Sequence, residues 1–537
     1  MIQLNIRSLR SVMALKTLTT LKIDMMKQMK RLRYLAMGLA LAASATLSAL
    51  EPAPKREFRG AWLHVIGQSQ WMNKTPAQQR AYIDEQLDKL YEAGCNAVIF
   101  QVRPTADALY ISEIEPWSKW LTGKRGKAPS ELWDPLEYIT EGAHRRGMEL
   151  HAWLNPYRVT SDAKEVLPED HLYNKHRERF FRFDNKIFFD PAYQENRDYI
   201  SRVIADIVTR YDIDAIHLDD YFYPYPAANG AKFDGDAASY KKFAPEGMSK
   251  GDWRRQNVDK LIEQLHYTIK EVKPWVRFGI SPFGIWRNKC NDPRGSESAG
   301  LQNYDDLYAD VILWAQKGWI DYLAPQLYWP LDKKVAPSRK LAEWWAENVP
   351  EPVHLYIGQN TQGTMDTPTA SDKNELAAKI DISRRLKNVD GNAWYHGYWV
   401  TGNYKGVKDA LASEHQRTLA LAPAYGDQEV RPAKVTGLHA EKTDEGPVIT
   451  WDVPATFHGY GAKADASPGK DTDVVKYVVY EFFKGESLDI NDPEAIISIT
   501  PFNAVRLDSA EPGTTFIVTA VDRMNRESAP SAKLIIK

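Results

Sequence analysis

From residue 57 onward the chain alternates short, almost wholly apolar runs with amphipathic stretches of helical period, and it does so eight times. The runs cover 58–65, 97–103, 149–155, 215–222, 277–283, 322–329, 353–359 and 392–399. Strands that are apolar on both faces belong to a parallel sheet covered on both sides. Helical spacing is predicted over 77–93, 135–146, 194–211, 253–272, 305–317, 338–348, 372–386 and 410–421. Eight strands, each followed by a helix, predict an α/β chain built on a (β/α)8 TIM barrel. The links that precede strands are short, whereas those after the third, fourth and fifth are long (156–189, 224–252 and 284–304). Barrel enzymes carry their chemistry on the loops that follow strands, so lengthening only those predicts a cleft there.

Both ends depart from this rhythm. Beyond Arg431 the chain alternates apolar and polar residues between Asn, Asp, Gly and Pro clusters, with Trp451 in an early run. Such alternation predicts a small all-β sandwich, and its length and pattern resemble a fibronectin type III domain. At the other end, a basic stretch (Lys30, Arg31, Arg33) precedes an apolar segment, 34–47, and the small residues Ser48 and Ala49. That order is the pattern of a secretory signal peptide cleaved near Ala49, and the apolar core is short of the roughly 20 residues of a membrane span. Residues 1–28 read as an upstream extension. The expected division is 1–49 leader, 50–430 barrel and 431–537 sandwich, in an exported protein, periplasmic or secreted.

Charge narrows the partners. The whole chain carries 69 Lys/Arg and 71 Asp/Glu. Residues 1–49 hold eight of the cations and one Asp, leaving 61 positive and 70 negative side chains, a net of −9. An acidic chain has no basic field for a nucleic-acid backbone. Apolar residues at 43% and charged ones at 26% exclude a disordered chain. The 17 Trp and 27 Tyr are enough to fill a core and still line a site for flat ligands. Two cysteines do not make a disulfide framework; Cys95 reads as a small buried residue and Cys290 as a loop thiol.

The fourth run ends His217-Leu218-Asp219-Asp220-Tyr221-Phe222-Tyr223-Pro224. In an extended strand His217, Asp219 and Tyr221 share one face and Asp220 takes the other. Adjacent carboxylates at the end of an apolar run push one pKa upward, a route to an acid that stays protonated near neutrality. Asp219 and Asp220 are therefore the candidate catalytic pair. Other strand ends offer Arg103, Asn155, Gln326 and Tyr328, whose donors and acceptors suit sugar hydroxyls and amides. Trp62, Trp153, Trp286, Trp329 and Trp399 also fall at strand ends, where flat amphipathic rings suit sugar faces. The predicted substrate contacts are Trp62, Arg103, Trp153, Asn155, His217, Tyr221, Tyr223, Gln326, Tyr328 and Trp329. His151, His217 and Asp219 can converge, but their spacing is not that of a zinc set. No phosphate loop or nucleophile elbow is present. No metal or cofactor is expected, and Ser281 shows no evident base partner.

These strings together resemble the glycosyl hydrolase-like 10 family, formerly domain of unknown function 187. They are Arg59-Gly60-Ala61-Trp62, Gln101-Val102-Arg103-Pro104, Ala152-Trp153-Leu154-Asn155-Pro156, the run around Asp219, Gly279-Ile280-Ser281-Pro282-Phe283-Gly284 and Pro325-Gln326-Leu327-Tyr328-Trp329. The resemblance implies hydrolysis of O-glycosidic bonds in a glycan strand, and one branch looks like enzymes acting on peptide-free peptidoglycan. It also places Asp219 where related barrels carry a strand-four nucleophile. The chain departs from the two-carboxylate scheme: strand five ends Ser-Pro-Phe-Gly and strand seven Gly-Gln-Asn, neither with an acid. Asp220 as proton donor, a loop carboxylate such as Asp107, Glu297 or Asp305, or the N-acetyl group of the substrate each supply the missing role. A carbohydrate-binding barrel without catalysis, or a hydrolase of another polysaccharide, are the alternative readings.

Overall fold

The computed structural model describes residues 53–537 except 73, 163, 445, 463–468 and 508–510, so the leader expected over 1–49 lies outside the described residues. Eight parallel strands close into a barrel. They are β1 (Phe58–Leu63), β2 (Ala97–Arg103), β3 (Glu149–Leu154), β4 (Ala215–Leu218), β5 (Arg277–Ile280), β6 (Tyr322–Leu323), β7 (His354–Asn360) and β8 (Gly391–Tyr395). Closure runs through β1 and β8, with Phe58 opposite Gly391 and Ala61 opposite Trp394. All eight predicted strands are present. Strands β5 and β6 stop earlier than their apolar runs, because Pro282 and Pro325 cannot donate to the ladder; single bridges, Phe283 to Gln326 and Gln326 to Gly358, continue the pairing.

Helices α1 (Pro76–Glu92), α2 (Pro135–Arg145), α3 (Gln194–Arg210), α4 (Lys250–Val272), α5 (Val311–Gln316), α6 (Ser338–Asn348), α7 (Leu376–Arg385) and α8 (Val407–Ala410) surround the sheet. Their starts are written locally. Thr75 and Gln78 form a reciprocal capping box ahead of α1, and Asp134 accepts from the first amides of α2. The eighth helix departs from expectation: α8 is a single turn followed by a wide turn over Leu411–His415, and Leu421 instead pairs alongside Arg56.

The barrel interior is built from alternate strand residues. Phe58, Ala97, Ile99, Trp153, Ala215, Tyr322, Tyr356 and Ala393 form one inner cluster, while the opposite faces pack on the helices. The long loops carry extra structure, with a hairpin (Phe180–Phe183 and Lys186–Phe189) after β3 and a helix (Ala237–Phe243) after β4.

The C-terminal part is a separate pair of antiparallel sheets. One has three strands (His439–Thr443, Gly446–Thr450, Ala504–Arg506) and the other four (Val474–Phe482, Ile496–Thr500, Thr515–Asp522, Leu534–Ile535). Ile449, Trp451, Tyr477, Val479 and Phe516 fill the space between them. This domain docks on the barrel face where strands begin. Asn525 donates to Glu149 at the start of β3 (2.6 Å), Arg523 to Asp212 just before β4 (2.5 Å), and Lys55 to Glu527 (2.6 Å).

Candidate active site

Asp219 and Asp220 follow directly after β4 and both are about 3% exposed. Strand pairing ends at Leu218, and the chain turns at once: Phe222 N donates to the Asp220 carbonyl (3.0 Å) and Tyr221 N to Asp219 Oδ1 (3.4 Å). The period of two therefore fails beyond Leu218. In that turn the Asp220 carboxyl meets Tyr225 and Gln326 and feels the Asp219 charge. Trp153 Nε1 donates to Asp219 Oδ2 (3.1 Å) and Asn155 Nδ2 to Oδ1 (3.0 Å). Burial raises the Asp219 pKa, and the Arg158 charge and these donors pull it back. Asp220 receives a hydrogen bond from the Tyr225 hydroxyl. Burial first, and then the Asp219 charge, push its pKa up to about 7. Below about pH 7 Asp220 thus keeps its proton, beside an Asp219 carboxyl that accepts from two side-chain donors.

Rings surround the pair, with Tyr221, Tyr328, Trp329 and Tyr395 partly exposed and Trp62 buried. Tyr328 stacks on Tyr395 (ring centroids 5.3 Å apart), and Trp62 meets Tyr395 edge-on (6.3 Å). The Tyr221 ring lies under the Arg158 guanidinium (4.8 Å) and Trp329 packs edge-on against Phe283 (5.3 Å). Gln326 faces Asp220 and donates to the Ser281 carbonyl (2.9 Å). His217 is buried below, receiving Trp62 Nε1–H on Nε2 (3.1 Å). Trp62, Trp153, Asn155, His217, Tyr221, Gln326 and Tyr328 are thereby brought to the pair, with Trp329 at its edge.

Two predicted substrate contacts stand elsewhere. Arg103 is fully buried, with its guanidinium bridging Glu115 (2.6 and 2.8 Å) and the Asn155 and Pro156 carbonyls (2.5 and 3.2 Å). It holds the β2 and β3 loops together, and its full burial keeps it from a sugar. Removing one member of a buried ion pair leaves the other charge uncompensated, so Glu115→Ala should lower stability by about 3–5 kcal/mol in denaturant unfolding. Tyr223 is 1% exposed and packs among Phe181, Phe233 and Tyr308, because the chain has left the strand by that point. Of the other strand-end tryptophans, Trp286 is buried on Trp344 and Trp399 lies on His396, away from the pair.

A model of the family described as Glycosyl hydrolase-like 10 matches residues 57–375, more than half of the chain. The chain belongs to the glycosyl hydrolase-like 10 family. It is similar to Glycosyl hydrolase YngK of Bacillus subtilis (strain 168), 43% identical over 380 residues, which is 68% of this chain and 73% of that protein. It is similar as well to Glycosyl hydrolase DigH of Escherichia coli (strain K12), 39% identical over 323 residues, 56% of this chain and 72% of that protein. The enzyme class expected from the sequence, glycoside hydrolase, is the class these relatives are named for.

Within this glycosyl hydrolase-like 10 barrel the loop acids considered from sequence are engaged elsewhere. Asp107 is buried 3.8 Å from Arg125, Glu297 is exposed and bound to Lys340, and Asp305 accepts from Arg287 (2.9 Å). Sequence reading also passed over Arg158, Tyr225 and Tyr395. Arg158 stands three residues past the nominated Asn155, and Tyr395 ends β8 within the run 392–399. Ser281 does have an imidazole neighbour, His217 Nε2 at 2.9 Å, 64 residues away in the chain.

Proposed function

We propose that the protein hydrolyses O-glycosidic bonds of an N-acetylated cell-envelope glycan, most directly peptide-free peptidoglycan strands. The observation that carries this is the adjacent, unequal pair at the end of β4: Asp219 accepting from Trp153 and Asn155, and Asp220 with its pKa raised to about 7. A retaining pair of separate carboxylates would stand on opposite sides of the sugar about 5–5.5 Å apart. Neighbouring acids on one turn suit substrate assistance better. In that scheme Asp220 gives its proton to the departing glycosidic oxygen while the acetamido oxygen attacks the anomeric carbon, forming an oxazoline. Asp219 accepts from the acetamido N–H and balances the positive charge that develops. Water then attacks the same carbon, returns a proton to Asp220, and the oxazoline reopens. Tyr328 and Tyr395 supply ring faces for the sugar.

An exported location is part of this proposal, supported by the leader pattern before Ala49. The two-sheet C-terminal domain supports the fibronectin type III-like reading. Mature protein incubated with glycan strands stripped of stem peptides should release short muro-oligosaccharides, resolved by mass, with retained anomeric configuration. A glucan of the same linkage without acetamido groups should remain uncut. Tight pelleting with no release would instead establish a carbohydrate-binding barrel, and release from the unacetylated glucan would remove the acetamido group from the mechanism.

A further inference from the structure

Beneath the pair, a continuous polar chain crosses an otherwise apolar barrel. His217 Nδ1 lies 2.8 Å from Tyr322 Oη, and the same hydroxyl lies 2.8 Å from His151 Nδ1. His151 Nε2 is 3.1 Å from Glu149 Oε2, and Glu149 Oε1 meets Arg277 (2.8 Å) and Asn525 of the C-terminal domain (2.6 Å). All these side chains are buried. Only one assignment of protons serves every contact. The Trp62 indole is solely a donor, so His217 Nε2 must be bare, with Ser281 as a second donor beside it. The His217 proton then sits on Nδ1 and is given to Tyr322. The Tyr322 hydroxyl donates to His151 Nδ1, and His151 gives its Nε2–H to Glu149.

The backbone makes room for this. Gly279 stands opposite both His217 and Tyr322 in the sheet, and a Cβ there would lie 1.9 Å from the Tyr322 ring. A glycine inside a strand often marks such a close approach. It lets the ring lie across the barrel between two histidines 66 residues apart in the chain.

We propose that Tyr322 is a positioning residue that receives the His217 Nδ1–H and, with Trp62 on the opposite nitrogen, locks that ring in one tautomer and orientation, with the chain anchored at Glu149 by the C-terminal domain. His217 in turn presents an acceptor that orients the buried Trp62 indole against Tyr395 at the edge of the pair. The nitrogen of a histidine that carries the proton is set by the hydrogen bond the other makes, and here that bond comes from the far side of the barrel. The low His217 pKa, caused by burial and then by His151, agrees with a neutral ring. The effect on catalysis rests on the hydrolase reading above; the tautomer does not.

The test is the ring-nitrogen spectrum of 15N-histidine-labelled full-length protein, with His217 assigned by its loss in His217→Gln. In the wild type between about pH 5 and 8, His217 should show a protonated Nδ1 and a bare Nε2. In Tyr322→Phe the Nδ1–H loses its acceptor while Trp62 still holds Nε2 bare, so the Nδ1 resonance should shift and its proton exchange faster, and kcat/KM on the glycan should fall on the order of tenfold. Gly279→Ala, which displaces the same ring, should move both readouts the same way. A wild-type His217 protonated on Nε2, or on both nitrogens, overturns the proposal. So does Tyr322→Phe with an unchanged spectrum. If the wild type cuts no glycan, the hydrolase reading fails while the spectrum still decides the role of Tyr322.

Discussion

Asp219→Asn is expected to reduce glycan turnover on the order of a thousandfold or more, while the protein stays folded and still binds the glycan. The substitution removes the charge but keeps the shape, and Asn can accept from either Trp153 or Asn155. Binding through the aromatic rim does not require that charge; stabilising a positive oxazoline does. Release of sugar from denuded strands, read beside pelleting of the variant with the same strands, separates the two effects. Wild-type release by the variant would remove Asp219 from the chemistry and with it the functional reading of the pair.

The second large effect concerns Asp220. As the proton donor it must be protonated, and its pKa is pushed up to about 7. Activity should therefore hold below pH 7 and fall about tenfold for each unit above it. Asp220→Asn should lose about 10²–10⁴-fold on the natural glycan and recover most of its first step on an aryl glycoside, whose leaving group needs no acid. The variant should also lose the alkaline limb of the pH profile. Stability follows the same proton. Below the ordinary carboxyl value of 3.8 the folded and unfolded chains are both protonated, and the full contribution is present. Between 3.8 and about 7 only the unfolded chain ionises, so stability declines as pH rises and levels off above the folded value. Chemical unfolding across that window should show this slope in the wild type and a shallower one in Asp220→Asn.

The barrel was legible because period and length repeat eight times, and each repeat is a local signal. Asp219 was legible for a related reason: a charge that ends an apolar strand has few explanations. The misreadings lie where local period stops governing. Asp220 and Tyr223 were placed by extrapolating a strand past Leu218, where a tight turn takes over. Arg103 looked like a sugar ligand until Glu115, twelve residues on, proved to fold back against it. The chain from His217 to Tyr322 spans 105 residues, and no spacing rule joins them. Only Gly279, small where a strand prefers bulk, hinted at it. The eighth helix was overread because 410–421 keeps its apolar character while serving as the seam to the next domain: Leu421 packs with Val478 and Tyr480 there.

That seam gives the molecule a direction of approach. The C-terminal domain covers the end of the barrel where strands begin, and the acid pair lies at the other end. A long or surface-bound polysaccharide can lie across the cleft without meeting the appended domain, which trails on the far side. The domain is thus badly placed to feed substrate inward toward the acid pair.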